Sequence, residues 1–221
     1  MIAEELINHM LPPLKVTDEA SKAIAWMEEF RCSQLPVVDN EKFLGFISEE
    51  IILEQNDLNK SIHQFELMGE SCRVNSDAHF YEVLKTASDH KSQMVGVMND
   101  LMQYSGVITV ADIMVSFAQT AAVQMPGSIL VLSMDLMDYS LAELSRLVEE
   151  NNAKIISSTM AEDPLDKGKI KLTIKINQDD LSRITATLDR FGYRIIASYQ
   201  TAPAEDPNKD RLDMFMRYLN I

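Results

Sequence analysis

The chain has 221 residues, with 34 Asp and Glu against 20 Lys and Arg, a formal charge of −14. Hydrophobic residues make up 46% and charged residues 24%, the usual proportions of a globular chain that buries a core. The negative excess repels a phosphate backbone, no Lys/Arg run offsets it, and no stretch nears the ~20 apolar residues of a membrane span, so neither nucleic acid nor membrane is expected as a partner. Acids in MIAEELINHM stand where a signal peptide carries basic residues, and Cys32 and Cys72 are too few for a disulfide framework. Both features point to the cytoplasm.

An internal repeat organises the first half. Met10, Leu14 and Val16 recur 58 positions on as Met68, Cys72 and Val74; Thr17-Asp18, Ile24, Leu35, Val38 and Asn40 recur at 59 as Ser76-Asp77, Val83, Met94, Val97 and Asn99. Gly45-Phe46-Ile47-Ser48 returns as Gly106-Val107-Ile108-Thr109. Each copy reads as strand, helix, two strands, helix. In the first, Leu14 to Val16 is a strand, Thr17 a helix N-cap, and Ala20, Ala23, Ile24 and Met27 the buried helical stripe. Gln34 to Val38 and Phe43 to Ile47 flank the hairpin residues Asp39-Asn40. The second copy places Ser76 as cap, Phe80, Val83, Leu84 and Ala87 as stripe, and strands at Met94 to Met98 and Tyr104 to Ile108. Units of about 55 residues bury too little surface alone, so the two are expected to pack together.

Gln124-Met125-Pro126-Gly127 interrupts the chain. Beyond it lie a strand at Ile129 to Leu132, then Ser140-Leu141-Ala142-Glu143, a capping box opening a helix with Leu141, Leu144, Leu147 and Val148 inward. Ile155-Ile156 begins another strand, and Ile170, Leu172, Ile174 and Ile176 alternate with Lys169, Lys171, Thr173 and Lys175 as a half-buried strand does. A helix with Leu181, Ile184, Leu188 and Phe191 inward closes at Gly192 before the strand Arg194 to Tyr199. The order βαββαβ is that of a ferredoxin-like sandwich. A polar linker from Ala202 leads to a tail with Leu212, Phe215, Met216 and Leu219 on one helical face, which needs something to dock on.

Leu35-Pro36-Val37-Val38-Asp39, Leu44-Gly45-Phe46-Ile47-Ser48 and Gly106-Val107-Ile108-Thr109-Val110-Ala111-Asp112 resemble a tandem pair of cystathionine-β-synthase (CBS) domains, a Bateman module. The phrase Glu149-Glu150-Asn151-Asn152-Ala153-Lys154-Ile155, with the element order, resembles an ACT domain. The fold class is thus α/β (α+β), a CBS-domain pair followed by a ferredoxin-like βαββαβ ACT domain. The expected boundaries are 1–60 and 61–122 for the CBS domains, 127–201 for the ACT-like domain and 202–221 for linker and tail.

CBS pairs bind adenosine-type ligands in clefts between the copies, where a Ser/Thr-x-x-Asp holds the ribose; the resemblance implies Thr109 and Asp112 in that role. A carboxylate can accept hydrogen bonds from both ribose hydroxyls. The same spacing at a helix start also suits a cap. By resemblance the adenine faces Val74, Ser76 and Val95, with Thr17, Pro36 and Ser48 their first-copy counterparts. Ile51 stands where the first copy's carboxylate belongs. Gly96, in Met94-Val95-Gly96-Val97, either admits a ligand to the backbone or marks a strand irregularity. Residues 1–118 hold 8 basic and 19 acidic side chains, leaving Arg73, His90 and Lys91 as candidates for phosphate. In the ACT-like unit the ligand loop offers Asp138 and Tyr139 but lacks the family's glycine.

His9, His63, His79 and His90 show no metal-ligand spacing, and no P-loop, GxSxG or GxGxxG occurs. The expectation is a non-enzymatic regulator without resident cofactor or metal. An adenine nucleotide or related adenosine ligand is its small-molecule effector, a homodimer its assembly, and an unidentified protein its target. The alternative is an interaction scaffold whose CBS clefts bind nothing.

Overall fold

The structure is a computed structural model that describes residues 1–200; the tail stripe from Leu212 to Leu219 lies outside the described residues. The chain divides into two units, Met1–Ala118 and Gln119–Ile221. Among the described residues no helix is long and apolar enough to cross a membrane.

The first unit contains β1 (Leu14–Lys15), α1 (Ala20–Phe30), β2 (Gln34–Asp39), β3 (Lys42–Ser48), α2 (Glu49–Gln55), β4 (Arg73–Asn75), α3 (Phe80–Asp89), β5 (Met94–Met98), β6 (Tyr104–Thr109) and α4 (Val110–Ala118). Two three-stranded sheets result, β1-β2-β3 and β4-β5-β6, each with a parallel first pair and an antiparallel hairpin. Their inward faces share one core, in which Leu35, Val37, Phe43, Ile47, Val95, Val97 and Ile108 are fully buried. Each such side chain contributes roughly 1.5 to 3 kcal/mol, so the two copies stabilise one another.

The strand pairing corrects the repeat spacing. Leu14 pairs with Val37 and Val74 with Val97, a spacing of 60 (14 to 74, 37 to 97), and α1 and α3 begin at 20 and 80. The single extra residue falls in the second hairpin, because Val38 pairs with Phe43 and Met98 with Tyr104. Similarity of side chains misplaced the register by one or two positions, since neighbouring apolar residues in a strand resemble each other more than true counterparts do. Two expected caps shift with it. The residue before α1 is Glu19, without a side-chain cap bond, and the residue before α3 is His79, whose ring accepts from the Tyr81 amide at 3.3 Å. Thr17 and Ser76 instead sit in the turns leading to these helices.

Each copy is completed by a segment that belongs, by chain order, to the other. Residues 60–68 lie along the first copy, with bonds from Ala20 N to Lys60 O, Ile62 N to Asp18 O and His63 N to Val16 O, and the reciprocal pair between Phe46 and Met68 at 2.7 and 2.9 Å. Residues 1–8 lie equivalently along the second, through Phe80 N to Met1 O, Ala3 N to Ala78 O, Glu4 N to Ser76 O and Asn8 N to Val107 O. The glycines at 45 and 106 admit these crossings. A Cβ on Gly45, at φ +129°, would stand 2.5 Å from the Met68 carbonyl oxygen, and one on Gly106 2.4 Å from the Ile7 side chain.

The second unit contains α5 (Ala121–Gln124), β7 (Ser128–Asp135), α6 (Leu141–Glu149), β8 (Ile155–Glu162), β9 (Lys169–Ile176), α7 (Ser182–Arg190) and β10 (Arg194–Tyr199). The all-antiparallel sheet has the order β10-β7-β9-β8, the expected ferredoxin-like arrangement. Its helix-covered face buries Leu130, Leu132, Ile170, Leu172, Ile174 and Ile176 against Leu144, Leu147, Val148, Ile184 and Leu188. Leu141 and Phe191, expected to face inward, are 38% and 45% exposed; Phe191 lies beneath the guanidinium groups of Arg146 and Arg190, each 5.5 Å from its ring. The alternation in β9 leaves Lys169, Lys171, Thr173 and Lys175 on the opposite face. There Lys171 pairs with Asp163 and Lys169 with Asp166, while Lys175 donates to the carbonyls of Ala122 and Val123.

Candidate functional site

At the start of α4 the chain folds a Thr-x-x-Asp cap. The Thr109 hydroxyl accepts the Asp112 amide at 3.0 Å and donates to Asp112 Oδ2 at 2.6 Å, and the Thr109 amide donates to the same oxygen at 3.1 Å. The Thr109 and Asp112 amides at the helix start are thereby satisfied. Ser48 does half of this in the first copy, accepting the Ile51 amide at 3.3 Å.

Asp112 has a further partner that comes from the crossing segment. Asn8 Nδ2 donates to Oδ2 at 3.0 Å and to Oδ1 at 3.2 Å, and Asn8 is itself fixed by its amide on Val107 O and by Met10 N on its Oδ1. Oδ2 thus receives three donors from the chain and Oδ1 one. At the register the strands define, Asn8 corresponds to Met68 and Asp112 to Ile51. Where the second copy has a hydrogen-bonded polar pair, the first has two apolar residues at the corresponding positions.

This carboxylate borders a cavity of about 610 Å3, within the range of small-molecule sites. Asn8, Met10 and Leu11 form one wall, Phe30, Arg31 and Cys32 the next, Gln93 and Met94 a third, and the first turn of α4 from Thr109 to Met114 the last. Arg31 and Asp112 are its two charged lining residues. Arg31 adopts φ +54° and ends α1. Beside it, the Cys32 amide returns to Met27 O at 3.0 Å. Burial pushes the Cys32 thiol up, with backbone donors opposing.

Of the residues singled out from the sequence, Thr109 and Asp112 line this cavity, and Val74, Ser76, Val95, Thr17, Pro36 and Ser48 do not. Val74, Val95 and Pro36 are buried in the interiors of their strands. Ser76 has its main chain occupied by Glu4 and Met98, Thr17 is exposed, and Ser48 caps α2. Gly96 is occupied by packing, since a Cβ there would lie 3.2 to 3.3 Å from the Phe43 ring. Arg73, His90 and Lys91 lie elsewhere, with His90 bound through its ring nitrogens to Ser71 Oγ at 2.9 Å and Thr86 O at 3.0 Å. Sequence reading missed Asn8 and Arg31. The spacing of 60 could have found Arg31, the counterpart of Lys91.

The second unit has its own cavity of about 560 Å3 between the end of β7, the start of α6 and the turn into β10. Asp138 lines it together with Asp135, Glu143, Lys169, Tyr193 and Arg194, whereas Tyr139 packs against the core. Ser140 caps α6 through the Glu143 amide at 3.3 Å. The Glu143 carboxylate, expected to close a capping box, instead accepts the Tyr193 hydroxyl at 3.1 Å. Desolvation, this bond and the Glu143 charge push Tyr193 up to about 12, against the pull of Arg146.

Residues 3–56 match the CBS domain family. Among solved structures, a CBS domain pair/ACT domain protein from Thermotoga maritima is similar, at 17% identity over 54% of this chain and 98% of that one, TM-score 0.48. A protein from Methanocaldococcus jannaschii is similar at 18% identity over 55% of this chain and 62% of that one, TM-score 0.50. The cytosolic domain of the Mg2+ channel MgtE, solved in complex with ATP, is similar at 15% identity over 52% and 48%, TM-score 0.44. The match to the CBS domain family covers residues 3–56, and the second copy repeats the strand order and ladders of the first.

Proposed function

We propose that the cavity between Arg31 and Asp112 binds an adenosine-containing small molecule, such as AMP, ADP, ATP, S-adenosylmethionine or an NAD-type dinucleotide. The protein is then a non-catalytic regulator that passes the bound state on through an ACT-like homodimer unit, as its resemblance to the acetoin-utilisation regulatory protein of some bacteria suggests. The observation that carries this reading is that one acidic residue, Asp112, and one arginine, Arg31, both line a cavity of nucleotide size. Asp112 suits the ribose diol and Arg31 a phosphate, while the Met and Phe walls suit a base.

Calorimetry with this ligand panel tests it. Saturation at ~100 times Kd stabilises the fold by ~2.7 kcal/mol, Asp112→Asn weakens every member, and Arg31→Ala weakens ATP more than S-adenosylmethionine, which has no phosphate. No response from any member, in wild type and in Asn8→Ala alike, would refute it. Light scattering tests the assembly, with twice the 25.0 kDa of one chain expected.

A scaffold that binds no ligand is the second reading. It is favoured by the four hydrogen bonds, from three donor groups, that the chain itself already places on Asp112.

A further inference from the structure

We infer that Asn8 is a built-in occupant of the ligand's place on Asp112, so that binding proceeds by exchange of the Asn8 side chain for the ligand. This rests on the nucleotide reading above. A carboxylate offers about four lone-pair positions, and here Oδ2 is used three times and Oδ1 once. Two of these four bonds, from the Thr109 amide and hydroxyl, are local to the cap and also hold α4 in place. The other two come from one carboxamide that bridges both oxygens as a diol would, and that side chain lines the same cavity. A ligand diol that takes the same two contacts, one on each oxygen, therefore requires Asn8 to withdraw.

The two copies provide an internal control. The two crossing segments share one main-chain bond, Asn8 N on Val107 O and Met68 N on Phe46 O, and the first copy adds the return bond from Phe46 N to Met68 O, so its crossing is held by main chain without a bridging amide. Where the carboxylate is replaced by Ile51, the bridging amide is replaced by Met68. The pair is kept or lost together. Withdrawal also breaks the bond from Met10 N to Asn8 Oδ1, and Met10 is 75% exposed beside the cavity. Binding is thereby linked to the order of residues 8–10.

Titration of the full chain with AMP, ATP, S-adenosylmethionine and NADH, by wild type, Asn8→Ala and Asn8→Ser, tests the exchange. Relieved of competition, both variants should bind roughly threefold to tenfold more tightly, the equivalent of one net hydrogen bond. Hydrogen exchange of wild type gives a readout that does not depend on any variant: the ligand should accelerate the Met10 amide while leaving Ala3 and Glu4 protected. Ligand binding with unchanged affinity in both variants and an unaltered Met10 amide would overturn the latch and leave the nucleotide reading standing. Failure of all three proteins to bind any probe would overturn both. Binding by the variants but not by wild type would support the latch.

Discussion

Phe43 and Tyr104 stack in parallel at matching positions of the two copies, ring centroids 6.0 Å apart and planes 9° apart. Phe43 is fully buried, meets Phe46 edge-on at 5.1 Å, and covers Gly96. The Gly96 site therefore cannot accept even a methyl group without moving a ring clamped on two further sides. Gly96→Ala should destabilise the first unit by about 1 to 3 kcal/mol in denaturant unfolding, as overpacking does. Unchanged stability would mean that the ring is free to yield.

Tyr104 makes the opposite forecast. Its hydroxyl is buried and has no hydrogen-bond partner among the described residues, and burial pushes its pKa well above the usual tyrosine value. Tyr104→Phe keeps the stacking and removes an unsatisfied group that costs about 1 to 3 kcal/mol. The variant should be the more stable of the two by calorimetry. A loss of stability would show that the hydroxyl is satisfied in solution.

The pairing of Asn8 with Asp112, and the place of Met68 and Ile51 at the corresponding positions, predict coupled substitutions. Ile51→Asp places a carboxylate opposite a thioether and should destabilise; adding Met68→Asn should recover about 1 to 3 kcal/mol through the new amide-carboxylate bonds. Additive losses in this double-mutant cycle would show that the two positions do not meet as their counterparts do.

Periodicity made the elements legible. The stripes of α1 and α3, the alternation of β9 and the βαββαβ order depend on neighbours in sequence, and the structure has them. Thr109 and Asp112 were legible as a pair for the same reason. Asn8 was not, because its partner lies 104 positions away across a segment that pairs with the other copy. Gly96 was misread from local sequence because the ring that needs it, Phe43, arrives from the opposite copy. Expected inward faces failed at Leu141 and Phe191, both at helix ends where the covered stripe runs out.

The two cysteines should differ in reactivity. Cys72 is fully buried and donates to Met94 O at 3.3 Å, and burial pushes its thiol up. Cys32 is half-buried on the cavity wall. At pH 8 a disulfide reagent should modify Cys32 slowly and Cys72 only after unfolding, because the thiolate is the reacting form. Bound nucleotide should protect Cys32 further. Equal labelling of both thiols in the native protein would contradict this placement.

The pairing of Tyr193 with Glu143 sets an alkaline limit for the second unit. Because desolvation and the adjacent carboxylate raise the folded pKa to about 12 from a reference of ~10, the folded state favours the neutral phenol. The stability this adds is complete below pH ~10 and is lost as pH rises from there toward 12. Absorbance at 295 nm should show a late tyrosinate phase that Tyr193→Phe deletes. Glu143→Gln should move that phase toward ~10, since the amide oxygen still accepts the bond but carries no charge. Denaturant unfolding adds the thermodynamic half: the stability of wild type relative to Tyr193→Phe should fall between pH 9 and 11.5. A phase at ~10 in wild type would mean that the carboxylate and phenol are apart in solution.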